Sequence, residues 1–184
     1  MADAAKSRSA AEPALPTWPD EIYHVLKDAG VRQVAMVPDA GHSRLIRSFE
    51  ADPETRVVTL TTEEEGVAML AGAWLGGERG VLLLQSSGVG NCINTLALQV
   101  CARFPLLMVI TMRGDWAEFN AWQNPMGQAT EKALNLMGVM TWRADDPKDV
   151  APLLHGAATM AFSGDAACLL LLGQRLIGEK RWVK

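Results

Sequence analysis

Two hydrophobic patterns alternate along this chain: short runs of consecutive apolar residues, and longer segments in which apolar residues recur every three or four positions. The runs have the length of buried strands, and the longer segments have the period of helices that pack on one face. The pattern predicts strands near 33–37, 56–61, 80–85, 106–111, 139–142 and 167–172, and helices near 19–29, 43–50, 63–75, 89–102, 127–137 and 147–162. It therefore predicts an α/β fold, a three-layer domain whose mostly parallel six-stranded sheet is covered by helices on both faces.

Proline and glycine residues support these element boundaries. Pro19 stands at an early helical position, where its missing N–H costs nothing, and Gly30 ends the first helix. Residues 1–16 are rich in Ala, Ser and Pro, and we expect them to form a flexible tail. One domain over 17–175 and a C-terminal tail over 176–184 complete the expected organisation, because 184 residues suffice for one full core.

Composition and charge exclude several classes of protein. The chain is 49% hydrophobic and 21% charged, which excludes disorder for most of its length. Its net charge is −4, and its local basic cluster is confined to 180–184, so no nucleic-acid-binding surface is predicted. The apolar runs are far shorter than the roughly 20 residues of a membrane-spanning helix. The three cysteines lack the close pairing of metal sites or disulfide scaffolds, which favours a reducing, cytoplasmic setting.

Candidate functional residues lie in the loops that follow the strands. In parallel sheets, ligands bind at the carboxyl ends of the strands, where the chain enters the next helix. Four segments have this position: VPDAGHS at 37–43, TTEEEG at 61–66, QSSGVGN at 85–91 and TMRGDWAEFNAWQNPMG at 111–127. A long loop over 112–126 is too polar and irregular for the core, and long loops inside compact domains are commonly functional or mobile.

Glu63 is the carboxylate whose position is most informative. It shares one helical face with Val67, Leu70 and Trp74, so the stripe that faces the sheet begins with a carboxylate. Such a carboxylate needs a partner, since burying an unpaired charge is costly. A carboxylate in the first turn of a helix also stabilises the helix dipole, so the pattern alone leaves a functional and a helix-stabilising role open.

The neighbouring residues have simpler explanations. Thr62 followed by Glu65 matches a capping box, and Glu64 suits the positive end of the helix dipole.

The order of these motifs resembles a known family. A glutamate nine residues before a glycine, here Glu63 and Gly72, followed by a strand and an S-G-x-G turn, resembles the pyrimidine-binding domain of thiamine-diphosphate-dependent enzymes. The closer resemblance is to sulfopyruvate and phosphonopyruvate decarboxylases. It rests on five segments in the same order: VPD at 37–39, EEEGVA at 63–68, SSGVGN at 86–91, MRG at 112–114 and PMGQAT at 125–130.

The resemblance implies roles for particular residues. Glu63 would hydrogen-bond the N1′ ring nitrogen of the thiamine aminopyrimidine, which serves as an internal base in this family. Four further residues would line the cofactor: Pro38, Ser87, Gly88 and Asn91.

Three residues are candidates for contact with the substrate. Asp39 and His42 are potential proton donors or acceptors, His42 is also a candidate substrate contact, and Arg113 suits the anionic tail of a sulfonate or phosphonate. From the residues alone, alternatives stay open. Asp39 could cap the next helix, His42 could be a solvated surface imidazole, and Arg113 could pair with Asp115 or Glu118.

The resemblance also implies a partner chain. Thiamine-diphosphate enzymes bind Mg²⁺ and the diphosphate in a second domain that carries a GDG motif, and the nearest string here is the divergent GDA at 164–166. We therefore expect the Mg²⁺ ligands on a diphosphate-binding beta subunit, with this chain as the alpha subunit of a hetero-oligomer that is active only as the complex. The expected reaction is decarboxylation of 3-sulfopyruvate or 3-phosphonopyruvate to an aldehyde and CO2. The alternatives are an ordinary aliphatic 2-oxo acid as substrate, or a noncatalytic regulatory or scaffold subunit.

Overall fold

The computed structural model describes residues 17–179. The expected tail over 1–16 and the end of the expected C-terminal tail, 180–184, lie outside the described residues. Six strands form one sheet in the order β2-β1-β3-β4-β6-β5, and every pair of neighbours is parallel. The strands are β1 Val31–Met36, β2 Arg56–Thr59, β3 Arg79–Gln85, β4 Leu106–Thr111, β5 Met140–Ala144 and β6 Ala167–Leu172.

Eight α-helices cover this sheet within residues 17–179. They are α1 Trp18–Asp28, α2 Ser43–Glu50, α3 Glu63–Leu75, α4 Ser86–Cys92, α5 Leu96–Ala102, α6 Asn124–Leu136, α7 Pro147–Gly164 and α8 Gln174–Ile177. Helices α1, α2 and α7 pack on one face of the sheet, and α3, α4, α5 and α6 on the other. The predicted three-layer α/β fold is therefore confirmed, and no helix over 17–179 is long and apolar enough to span a membrane.

The sheet carries one core on each face. Val81 and Leu83 of β3 contribute to one core, and Leu82 and Leu84 contribute to the other, as the two-residue period of a strand requires. Because both faces are covered, the central strands are continuous apolar runs rather than alternating ones. At the end of α1, Gly30 has a φ of +78°, which confirms it as the residue that ends this helix.

The structure corrects one predicted helix. The segment near 89–102 is two helices, because α4 begins directly after β3 and ends at Cys92, and α5 starts at Leu96. Asn94 and Thr95 lie in the turn between them, where their backbone carbonyls accept hydrogen bonds from Ala97 and Leu98. Asn and Thr are poor residues for a helix interior because their side chains compete for backbone hydrogen bonds, which explains the break.

The strand order places a crevice at one edge of the sheet. Strand β2 lies on one side of β1 in the sheet, and β3 lies on the other side. The connection after β1 leads to α2 on one face of the sheet, and the connection after β3 leads to α4 on the opposite face. Ligands in open α/β sheets bind at such a switch point, beyond the carboxyl ends of the strands.

Candidate functional site

The carboxyl ends of three neighbouring strands bring polar side chains together at the crevice. Gln85 ends β3 and lies opposite Thr111, which ends β4. Asp39 follows β1 in the turn before α2. Its Oδ2 accepts hydrogen bonds from the backbone N–H of Gly41 and the hydroxyl of Thr111, both at 2.8 Å, and its Oδ1 accepts from the Gln85 amide at 2.7 Å.

These hydrogen bonds determine the charge of Asp39. Burial favours the neutral acid, but the donors from Gln85, Thr111 and Gly41 and the nearby His42 outweigh it, so the pKa of Asp39 is lowered. Asp39 also caps the short 3₁₀ turn Ala40–His42 through its bond with Gly41, as the alternative interpretation anticipated.

His42 lies inside the protein rather than on the crevice surface. Its side chain is buried, and its Nε2 donates to the carbonyl oxygen of Leu84 at 3.3 Å. Burial, only partly offset by Asp39 and by backbone carbonyls, lowers the pKa of His42. Its Nδ1 has no partner among the described residues. The interpretation of His42 as a solvated surface imidazole is therefore wrong, while its role in proton transfer and substrate contact stays a prediction.

Glu63 begins α3 and points toward α4. Its Oε2 accepts a hydrogen bond from the side-chain amide of Asn91 at 2.8 Å, and no described residue donates to its Oε1. The side chain lies against the bare Cα of Gly88, where an added Cβ would stand 2.1 Å from Oε1. The expected stripe is present, since Val67 and Leu70 are buried, but Glu63 itself is partly exposed at the edge of the sheet.

The rest of the glutamate run stabilises the start of α3. The predicted capping box is not formed, because Glu65 accepts from the backbone N–H of Thr61, one residue earlier than expected, at 2.8 Å. The hydroxyl of Thr62 donates to Glu64 instead, at 2.5 Å. Glu64 and Glu65 thus serve the helix terminus, which leaves Glu63 as the glutamate that faces α4.

Cys92 is close to this carboxylate but is not a candidate nucleophile. Burial first, and then the charges of Glu63 and Glu64, raise the pKa of the Cys92 thiol to about 12. A thiol with such a pKa stays protonated near neutral pH, so it behaves as a small apolar side chain.

Arg113 is engaged within the chain. Its Nε and Nη2 donate to the two carboxylate oxygens of Glu118 at 2.5 and 2.7 Å, and both side chains are nearly inaccessible to solvent. Glu118 also accepts from the amide of Gln174 in α8 at 2.8 Å. Of the two sequence interpretations, the structure forms the pair with Glu118, while Asp115 pairs with Arg143.

The long loop after β4 closes at two glycines. Gly114 has a φ of +81°, and an added Cβ would stand 2.1 Å from the carbonyl oxygen of Gln123. At Gly127 of α6, an added Cβ would stand 2.2 Å from the backbone carbonyl oxygen of Arg113. No larger residue therefore fits at Gly114 or at Gly127. The loop between them exposes three large aromatic side chains, Trp116, Phe119 and Trp122, of which Trp122 is 86% accessible.

The remaining predicted residues lie at the crevice. Pro38 is exposed at the end of β1, and Gly88 packs against Glu63. Ser87 is exposed, and its hydroxyl donates to Oε1 of Gln85 at 2.8 Å.

Sequence reasoning missed Gln85, Thr111 and Gln174. Gln85 and Thr111 are polar residues at the carboxyl ends of two otherwise apolar strands, and that signal could have identified them. Gln174 had no comparable signal, since its role depends on the fold of the loop that it contacts.

No three His, Cys, Asp or Glu side chains within 17–179 are grouped as a metal site would require. The crevice therefore presents a carboxylate with one open oxygen, a network around a second carboxylate, and an aromatic loop at its rim.

The fold and the crevice define a three-layer α/β domain whose candidate site lies at the switch point of a parallel sheet. Residues 17–131 match the family described as thiamine pyrophosphate enzyme, N-terminal TPP binding domain. The chain therefore belongs to the thiamine pyrophosphate enzymes.

Curated relatives indicate which enzymes of this family the chain is similar to. The sulfopyruvate decarboxylase subunit alpha of Methanococcus maripaludis is 32% identical over 154 residues, which are 83% of this chain and 92% of the relative. The subunit of the same name from Methanocaldococcus jannaschii is 34% identical over 142 residues, 77% of this chain and 84% of the relative. The phosphonopyruvate decarboxylase of Streptomyces viridochromogenes is 41% identical over 119 residues, 64% of this chain and 30% of the relative.

Solved structures share the fold at low sequence identity. The 2-oxoglutarate:ferredoxin oxidoreductase of Magnetococcus marinus superposes with a TM-score of 0.71 at 15% identity, over 87% of this chain and 29% of that chain. A thiamin diphosphate-dependent enzyme of Mycobacterium smegmatis gives a TM-score of 0.67 at 18% identity, over 91% of this chain and 34% of that chain. The expected thiamine-diphosphate-binding fold is thereby confirmed.

Proposed function

We propose that this chain is the alpha subunit of a split thiamine-diphosphate-dependent decarboxylase that converts 3-sulfopyruvate or 3-phosphonopyruvate to an aldehyde and CO2. The observation that carries this proposal is Glu63, whose carboxylate is held by Asn91 against Gly88 and keeps one oxygen free at the crevice. The names of the relatives support the reaction, and the high coverage of the relatives named as alpha subunits supports the subunit assignment.

Glu63 is the residue that fits the aminopyrimidine of the cofactor. Its free Oε1 is available to hydrogen-bond a ring nitrogen, and its bond to Asn91 fixes the direction in which that oxygen points. Gly88 leaves the space that the carboxylate occupies. When bound, thiamine diphosphate supplies the electron sink that the loss of CO2 requires. The chain's contribution is to hold the ring and to share a proton with it.

Asp39 and His42 have different roles in this proposal. Asp39 lies at the crevice as an ionised acceptor, so it orients a donor group of the ligand. His42 is a neutral, buried ring below the crevice that supports the turn carrying Asp39. Pro38 and Ser87 flank these residues at the exposed edge, where they would line the cofactor.

We further propose that a diphosphate-binding beta subunit supplies the Mg²⁺ ligands. The crevice contributes a carboxylate for the ring but no metal-ligand cluster within 17–179. The aromatic loop supports this arrangement, because Trp122, Pro125 and Met126 line an open groove of about 530 Å³ that borders α4 near Gly90. A partner that covers Glu63 would also cover this groove.

A second candidate substrate has an observation in its favour. Arg113 is the predicted cation for a sulfonate or phosphonate, but Glu118 already occupies two of its donors. An ordinary aliphatic 2-oxo acid needs no such cation. The two candidates differ in what Arg113→Ala should do: the Michaelis constant should rise much more for sulfopyruvate than for pyruvate if Arg113 holds the tail, and equally for both if it only anchors the loop.

The experiment that tests the proposed function is substrate profiling of the chain co-expressed with a diphosphate-binding subunit. Sulfopyruvate, phosphonopyruvate and pyruvate are supplied with thiamine diphosphate and Mg²⁺, and the released CO2 is measured. We expect turnover of at least one sulfonated or phosphonated substrate. A complex that forms but releases no CO2 from any of the three would instead support the scaffold alternative.

A further inference from the structure

We infer that Gln85 and Thr111 are positioning residues that hold Asp39 as a fixed, ionised hydrogen-bond acceptor at the crevice, so that Asp39 orients the ligand and does not donate a proton to it. The inference rests on the proposed function for the identity of the ligand. It assigns roles to two residues that begin the segments 85–91 and 111–127 but had no predicted role of their own.

The geometry of the carboxylate is set from three directions. The Asp39 carboxylate accepts from Gly41 in its own turn, from Gln85 of β3 and from Thr111 of β4, at 2.7 to 2.8 Å. A carboxylate has roughly four lone-pair sites, so three donors leave about one for a ligand. Asp39 is only partly buried, which leaves that site accessible from the crevice.

Both ends of the Gln85 amide are engaged. Its Nε2 donates to Asp39 at 2.7 Å, and its Oε1 accepts from the hydroxyl of Ser87 at 2.8 Å. An ionised carboxylate can only accept hydrogen bonds, so this arrangement of the amide matches the ionised form of Asp39.

The side chain of Thr111 is also closely packed against the turn at Gly41. A Cβ at Gly41 would stand 2.7 Å from Cγ2 of Thr111 and 2.8 Å from Oδ2 of Asp39, so the turn is built against both atoms. The hydroxyl of Thr111 also lies 3.5 Å from the carbonyl oxygen of Leu84. With its proton directed to Asp39, the hydroxyl cannot serve a different acceptor.

Two titratable groups within the described residues act on Asp39. Arg113, from the segment after β4, is positively charged and favours the ionised carboxylate, whereas His42 from the same turn adds little because burial lowers its pKa and keeps the ring neutral. Arg113 is itself compensated by Glu118. The local donors, more than the distant charges, therefore keep the pKa of Asp39 below its ordinary value despite burial. A protonating group for the reaction must then come from elsewhere in the complex.

The test measures the titration of Asp39 directly, by ¹³C NMR of labelled aspartate carboxyls in the full chain. Comparison with Asp39→Asn assigns the signal. Thr111→Val, which keeps the branched shape and suits a strand, should raise the Asp39 midpoint by about one pH unit, which corresponds to losing one hydrogen bond of about 1.4 kcal/mol. Gln85→Leu should raise it similarly, and Thr111→Ser should restore the wild-type midpoint.

Thr141→Val is the matched control, because Thr141 is also a strand threonine that donates a hydrogen bond, to Asn135 at 2.9 Å, on the edge strand β5. In Thr141→Val, the titration midpoint of Asp39 should equal that in the wild type. An unchanged Asp39 midpoint in both Thr111→Val and Gln85→Leu overturns the positioning roles.

The functional part of the inference is tested in the reconstituted complex. If the ionised form of Asp39 is required, the acid limb of the kcat/KM profile should move to higher pH in Thr111→Val by the same amount as the NMR midpoint. If the NMR midpoint of Asp39 moves in Thr111→Val but the acid limb of the kcat/KM profile does not, the acceptor role of Asp39 is overturned. A wild-type complex without decarboxylase activity would contradict the proposed function, while the NMR titration would still decide the positioning roles.

Discussion

Glu63 and Gly88 form the contact on which the candidate site depends most. The glutamate side chain occupies the space that any other residue at position 88 would fill, and Asn91 holds one of its oxygens. The sequence predicted that Glu63 needs a partner, but it could not identify Asn91, which is 28 positions away and on another helix.

Replacing Glu63 with Gln tests its proposed role. Glutamine preserves the size and most of the hydrogen bonding but removes the exchangeable acid proton, so activity of the reconstituted complex should fall about 100-fold or more. Glu64→Gln is the matched control, since Glu64 bonds Thr62 at the helix terminus, and its effect should be mild. Turnover like that of the wild type in Glu63→Gln would contradict the assignment.

Replacing Gly88 with Ala tests the same contact from the other side. The added methyl group would stand 2.1 Å from Oε1 of Glu63 and must displace the carboxylate, so we expect loss of at least about 10-fold in kcat/KM with the chain still folded. Gly90→Ala in the same helix is the control, because its nearest neighbour, the sulfur of Met126, would be 3.6 Å away. Equal activities of the two variants would show that the position of Glu63 does not matter.

At the scale of elements, the segment 113–123 after β4 is held by the ion pair between Arg113 and Glu118. Arg113 and Glu118 are five residues apart, and Gln174 of α8 connects them to the far end of the domain. Helix and strand boundaries were predictable because they follow local periodicity and glycine positions. The break between α4 and α5 and the bracing of this segment were not, because both depend on neighbours distant in sequence.

Replacing Glu118 with Gln should loosen this loop. The change leaves the buried Arg113 without a counter-charge, and breaking such a pair costs about 3 kcal/mol or more. We expect faster amide exchange over residues 115–123 and little change in the central strands. Glu131→Gln, an exposed glutamate on α6, is the control. Unchanged exchange over residues 115–123 would show that the close backbone contacts at Gly114 and Gly127 are enough to hold the loop.

Acid should weaken the same pair. Arg113 lowers the pKa of Glu118 from 4.5 to about 2. Because the pKa of Glu118 is lower in the folded than in the unfolded chain, its ionised form stabilises the fold. This stabilisation is complete above pH 4.5 and is lost as the pH falls from there toward about 2. In the wild type, the protection factors of the loop amides, which correct for the pH dependence of intrinsic exchange, should therefore fall over that interval, whereas those of Glu118→Gln should not.

At the scale of the whole molecule, the proposed function puts the ring of the cofactor at Glu63 and leaves the Mg²⁺ ligands to a partner chain, since no three His, Cys, Asp or Glu side chains within 17–179 form a group that could hold a metal. Calorimetry of the purified chain should show no tight, Mg²⁺-dependent binding of thiamine diphosphate, because free Mg²⁺ keeps its waters unless protein ligands position it. Adding a diphosphate-binding subunit should restore tight binding. Tight binding by the chain alone would refute the split-site proposal.

The aromatic loop predicts where that subunit binds. Trp122→Ala should weaken association by about 10-fold or more, since exposed tryptophans at interfaces are frequent hot spots. Leu136→Ala is the control. Leu136 is 87% exposed, close to the 86% of Trp122, but it is the last residue of α6, whereas Trp122 lies just before the first. Equal dissociation constants for the two variants would place the interface elsewhere.

Local patterns in the sequence determined the three-layer α/β fold, the six strands and the position of Glu63 at the start of a helix. They did so because strand and helix periods, glycine turns and loop positions are properties of neighbouring residues. The tertiary structure decided the rest: His42 turns inward, Arg113 is neutralised by Glu118, and Gln85 and Thr111 converge on Asp39. These outcomes depend on strand order and on contacts between residues far apart in the chain, which no local pattern encodes.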